Sequence, residues 1–220
     1  MKFSRKTGML LLILVIPVLI YVFLQQFGSN SYAIPVFYEK GVESSLESCE
    51  FSEGQHYIPN FDMISQNKEK ITGDVLENKI SVVDFFFTSC PDICPVMSSE
   101  LSRVNDFFKN NASVQILSFT VDPQYDTPQV LSEYAKEYEA DANHWKFLTG
   151  EKEDIYSLAR CGFLLPVQDG DGSNADFIHS EKIILVDGEK RIRGYYDGTD
   201  REEIDRLITE INILLGNYNS

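Results

Sequence analysis

Apolar and polar positions change period several times along the chain, and the first change is the sharpest. From Gly8 to Leu24 the sequence reads GMLLLILVIPVLIYVFL, with Lys2, Arg5 and Lys6 before it and no further charge until Glu39. At about 1.5 Å per helical residue such a run, with its neutral flanks, just crosses a hydrocarbon core of about 30 Å. The basic residues stand only on its N-terminal side, so the pattern predicts one membrane helix with its N-terminus in the cytoplasm and everything after it exported. Ser31-Tyr32-Ala33 resembles a small-x-small cleavage site, which leaves a cleaved signal peptide as the alternative. Both readings export the rest of the chain.

Residues 25 to 56 are polar and weakly patterned, as expected of a tether. From Tyr57 the pattern becomes that of one α/β domain. Ser81 to Thr88 (SVVDFFFT) is apolar except for Asp84 and predicts a central strand covered on both faces. After Cys90-Pro91-Asp92-Ile93-Cys94-Pro95, the stripe Met97, Leu101, Val104 and Phe108 predicts a helix. Val114 to Val121 predicts a second buried strand. Asp126-Thr127-Pro128 predicts the capped start of a helix reaching about Tyr138. Trp145 to Leu148 follows as a short strand and Glu151 to Arg160 as a short helix. Lys182 to Val186 and Arg191 to Tyr196 flank the hairpin signal Asp187-Gly188. Thr199 to Leu215 closes the chain as an amphipathic helix. Strand, helix, strand, helix, hairpin, helix is a thioredoxin-like order: a central sheet flanked by helices, here preceded by a single transmembrane helix.

Charge changes the picture in one respect. The chain carries 19 basic and 34 acidic residues, a formal net charge of −15, and removal of the N-terminal basic residues leaves the rest more acidic still. Such a surface repels nucleic acid. The four cysteines, Cys49, Cys90, Cys94 and Cys161, are too few for a disulfide-stapled miniprotein in a chain long enough to bury its own core.

Cys90 and Cys94 stand just past a buried strand, at the mouth of a helix, where unpaired N–H groups and the helix dipole stabilise a thiolate. A spacing of four puts both sulfurs on one side of a helical turn. Two soft thiolates without two more Cys or His nearby fit a closed tetrahedral zinc site poorly and suit Cu(I), while a histidine as third ligand would admit Cu(II) as well. Of the three histidines, His179 is best placed, just before the hairpin. His56 and His144 read as structural or solvated. A structural disulfide is the plain alternative for Cys90 and Cys94. Cys49 and Cys161 could pair, pack as small apolar groups or stay free.

The run Asp84-Phe85-Phe86-Phe87-Thr88-Ser89-Cys90, continued through Pro91-Asp92-Ile93-Cys94-Pro95, closely resembles the Sco (SenC) family of copper-binding, thioredoxin-like proteins. Val121-Asp122-Pro123, Asp126-Thr127-Pro128, Trp145 to Gly150, His179-Ser180 and Arg193 to Gly198 follow in the family's order, over roughly residues 57 to 215. The resemblance implies that Cys90, Cys94 and His179 bind copper. It also implies a membrane anchor and delivery of copper to the binuclear copper site of a terminal oxidase, through the copper-receiving subunit. The expected organisation is a cytoplasmic tip and transmembrane anchor over 1–27, a tether over 28–56 and a thioredoxin-like copper-binding domain over 57–220. Asp122 and Asp126 also match family positions, but they read equally well as turn and helix-cap residues. Thiol–disulfide exchange with a redox partner, Cys90 attacking and Cys94 resolving, is the competing function. The three residues between the cysteines, against two in most redox relatives, and the presence of His179 favour metal.

Overall fold

A computed structural model describes residues 5–27, 33–42, 49, 51, 53–165 and 180–218. The chain divides into two units, Met1–Ala33 and Ile34–Ser220. The first contains helix α1, Arg5–Phe27, with Pro17 inside it. The side chains described within α1, Met9 and Ile13 to Phe23, are exposed. Among the described residues no helix is long and apolar enough to cross a membrane.

The second unit is an α/β domain around a seven-stranded mixed sheet. Its elements are β1 Asp62–Ser65, β2 Lys70–Thr72, β3 Ile80–Phe86, α2 Ile93–Phe108, β4 Val114–Thr120, α3 Pro128–Glu137 and β5 Trp145–Thr149. Then come α4 Lys152–Ser157, β6 Lys182–Val186, β7 Ile192–Asp197 and α5 Arg201–Tyr218. The strand order is β2-β1-β5-β4-β3-β6-β7. β3, β4 and β5 run parallel, joined by α2 and α3, and the outer strands pair antiparallel. Every residue of β3 and β4 is buried, the reason both read as nearly continuous apolar runs. The stripe Met97, Leu101, Val104 and Phe108 of α2 is buried as expected.

Two local expectations, the start of the domain and the cap of α3, are corrected, while the predicted β6–β7 hairpin is present. The domain begins at Ile34, well before Tyr57. Ile34 is buried, its carbonyl and that of Pro35 accept from the Arg193 guanidinium, and Phe37 N–H donates to Ile192 O (2.9 Å) along β7. The buried Arg193 is neutralised by Asp187 at 2.8 Å, so it can hold this segment without a stranded charge.

The hairpin β1–β2 had no signal in the sequence. Its strands are too short to show alternation, and its link to β5 is completed by a side chain: Gln66 donates to Trp145 O (3.1 Å) and accepts from Phe147 N–H (3.0 Å). At the β6–β7 turn, Gly188 serves packing: a Cβ there would lie 2.8 Å from Asn78 Cα. The loop itself closes around Asp187, whose Oδ1 accepts from the N–H groups of Glu189 and Arg191.

The cap of α3 is Thr127, whose Oγ1 accepts from Val130 N–H (3.4 Å), with Pro128 opening the helix; Asp126 is turned inward instead. Thr127→Ala should therefore lower the unfolding free energy by about 1 kcal/mol, the usual worth of such a cap. Urea unfolding measures this, and an unchanged midpoint would show that the longish bond contributes nothing.

Candidate metal centre

The parallel strand β3 delivers the chain to a tight turn in which Cys90 N–H donates to Phe87 O (3.2 Å). Helix α2 starts three residues later, so Cys94 sits in its first turn beside Pro95. A proline there forfeits no intrahelical bond, because the first N–H groups of a helix have no partner within it. Cys90 and Cys94 are both free and both buried. Each thiol influences the ionisation of the other.

Their environments push them apart. Burial raises the Cys90 thiol, but N–H groups of Asp92, Cys94 and Ile93 and the Cys94 thiol converge on it and bring it below the ordinary cysteine value. Cys94 is driven far up, by burial first and then by the charge on Cys90 and that of Asp84 beneath it. The pair is therefore unequal: N–H groups at a helix N-terminus favour ionisation of Cys90, while burial disfavours it in Cys94. The two soft donors lie just beneath the protein surface, where Pro91, Asp92, Pro95 and Val96 are exposed.

His179 lies outside the described residues. Among those described, no group of three or more His, Cys, Asp or Glu side chains is arranged to hold a metal ion. His56 and His144 are placed elsewhere: His56 Nε2 lies 2.8 Å from Gly162 O, with its ring against Tyr38 and Phe51. His144 is buried beside the C-terminal end of α2, the end away from Cys94, and burial lowers its imidazole pKa. Cys49 and Cys161 form a disulfide, with Cα atoms 5.5 Å apart.

Two buried carboxylates are linked to the dithiol, Asp84 through its charge on Cys94 and Asp126 through Thr88, and neither is a predicted site residue. Asp84, within β3, accepts from Ser118 Oγ (2.5 Å), which in turn accepts from Trp145 Nε1 (2.8 Å). Burial raises its pKa to about 7. Its signal was visible: a lone charge in an otherwise apolar strand. Asp126 accepts from Thr88 and Thr120; Thr88 is 38 residues away in sequence, and no local pattern announces that contact. Asp122 is half-buried and its backbone carbonyl closes the turn before α3, accepting from Tyr125 and Asp126 N–H.

Fold and site together define a thioredoxin-like protein with a dithiol at the strand-to-helix turn. A sequence model of the SCO1/SenC family matches residues 50–215. The chain belongs to the SCO1/SenC family. The SCO1 protein homolog of Bacillus subtilis (strain 168) is 28% identical over 156 residues, covering 70% of this chain and 80% of that protein. Among solved structures, BsSco is 26% identical with a TM-score of 0.63, covering 73% of this chain and 94% of that one. It is described as a member of the Sco family of cytochrome c oxidase assembly proteins in which a disulfide switch is identified. Arabidopsis thaliana ScoI, solved with copper bound, is 28% identical with a TM-score of 0.57, covering 72% of this chain and 98% of its own.

Proposed function

We propose that this protein is a copper metallochaperone. Cys90, Cys94 and His179 take Cu(I) or Cu(II), and the ion passes by ligand exchange to the binuclear copper site of a terminal cytochrome oxidase. The observation that carries the reading is the pair of free, buried thiols at the N-terminus of α2, one of them lowered in pKa by converging N–H groups. Such a pair offers the soft, low-coordinate donors that copper prefers. The copper bound to Arabidopsis ScoI and the oxidase-assembly family of BsSco support copper as the cargo and an oxidase as its destination.

In the same proposal α1 is a single-pass anchor, N-terminus inside, with the domain on the exported side. The apolar side chains from Ile13 to Phe23 are exposed all round the helix, which suits lipid rather than water. A disulfide between Cys49 and Cys161 suits an oxidising compartment.

Thiol–disulfide exchange is the second reading, favoured by the asymmetry of the pair: Cys90 is suited to attack and Cys94 to be held in reserve. The deciding measurement is copper stoichiometry with absorption and electron paramagnetic resonance spectra on the reduced full chain in detergent. We expect about one copper per chain and a thiolate-to-Cu(II) charge-transfer band. That band should vanish in Cys90→Ala and Cys94→Ala, and Cu(II) affinity should fall strongly in His179→Ala. A reduced protein that binds no copper would overturn the chaperone reading, and a partner trapped by Cys94→Ser would then establish exchange.

A further inference from the structure

Asp126 is fully buried, and a carboxylate taken out of water is tolerated only where donors converge on it. Three do so here: the Thr88 N–H at 3.1 Å, the Thr88 hydroxyl and the Thr120 hydroxyl. Thr120 Oγ1 itself accepts from Asp122 N–H (3.0 Å), which leaves its own proton free to point at Asp126. The carboxylate of Asp122 works against ionisation of Asp126. Hydrogen bonds from two threonines therefore carry the whole accommodation of the group.

The topology gives this cluster its meaning. Thr120 ends β4, and Val121 N–H donates to Phe86 O (2.8 Å) across the parallel pair. Thr88 lies beyond the end of β3, two residues before Cys90. Asp126 thus joins three segments at the carboxyl edge of the sheet: the end of β4, the start of α3 and the loop that carries the first cysteine.

We propose that Asp126 is a positioning residue for the dithiol, acting through Thr88 to hold the β3–α2 loop so that Cys90 stays opposed to Cys94. The inference rests on the copper reading above and adds to it the residue that keeps the site in shape before the ion arrives. A site whose supporting groups are held in place gives up less conformational freedom on binding.

The test uses the full chain in detergent, with Cu(II) affinity measured by competition against a chelator of known affinity and the charge-transfer spectrum recorded on the same samples. Asp126→Asn replaces one acceptor oxygen by a donor facing the threonines. Thr88→Val removes only the hydroxyl, keeps the shape and keeps the N–H. Thr127→Ala is the control, since it weakens α3 next door without touching Thr88. Both site variants should weaken Cu(II) binding about tenfold, in the range found when groups supporting metal ligands are removed, and shift the charge-transfer band. The double variant should be no worse than the weaker single one, because both cut the same tie.

Thr127→Ala should melt earlier yet keep wild-type affinity and spectrum. Should Asp126→Asn fail to fold, Thr88→Val carries the same comparison. Wild-type affinity and spectrum in Thr88→Val and Asp126→Asn would overturn the role of Asp126 and leave the copper reading standing, as would an equal loss in Thr127→Ala. A wild-type chain that binds no copper would overturn both.

Discussion

Removal of the Cys49–Cys161 disulfide should cost the domain about 4–5 kcal/mol, the entropy released to the unfolded chain when a cross-link spanning on the order of a hundred residues is cut. The bridge joins residues 112 apart in sequence. It also ties the segment before β1 to the turn that follows α4, where Gly162 packs so closely under Pro59 that a Cβ would lie 3.1 Å from the ring. For a domain of this size the loss corresponds to a melting temperature lower by about 10–20 °C. The comparison is best made by calorimetry on Cys49→Ser/Cys161→Ser against the parent, both carrying Cys90→Ser and Cys94→Ser so that no second disulfide can form. A difference below about 1 kcal/mol would mean that the native contacts of the 49–56 segment, and not the covalent tie, order this edge of the domain.

The second large effect is on pH dependence and comes from Asp84. Burial lifts its carboxyl to about 7 in the folded protein, from 3.8 as its ordinary value. The native state then holds a proton that the unfolded chain has already lost between those pH values. Stability is consequently highest at the acid end of this window and declines as pH rises through it, by about 4 kcal/mol when complete. Burial raises the pKa of Asp126 as well, so its contribution has the same sign. Asp84→Asn should flatten most of the decline, because Ser118 can still donate to an amide oxygen while nothing remains to ionise. Urea midpoints at pH 4.5 and pH 8 for both proteins make the test. Equal slopes in the two would show that Asp84 is not the group responsible.

Much of the site was legible because its chemistry is local. Cys90 and Cys94 are four residues apart, and their place after an apolar strand and before a helical stripe follows from period alone. The structure confirms that placement and adds the inequality of the two sulfurs, which depends on N–H directions and on Asp84 below them. The Cys49–Cys161 pairing was one of three possibilities in the sequence, since nothing in residue spacing says that position 49 returns to the end of α4. Asp126 read equally well as a helix cap. Its neighbour Thr127 takes that role, because the backbone turn after β4 directs the Asp126 side chain inward to two hydroxyls that only the folded sheet brings together.

The sequence by itself determined the order of the central elements, the buried character of β3 and β4 and the position of the dithiol. Each is written in hydrophobic period or in short-range spacing, and burial of apolar surface enforces both wherever the chain folds. Tertiary structure alone decided where the domain begins, how its short edge hairpin is joined to β5, which cysteines pair and which carboxylates support the thiols. Those outcomes rest on buried polar groups finding partners across the fold, Arg193 with Asp187 and the carbonyls of Ile34 and Pro35, Gln66 with β5, and Asp126 with Thr88 and Thr120. A buried polar group must be satisfied, but the requirement does not name its partner; only the packed chain does.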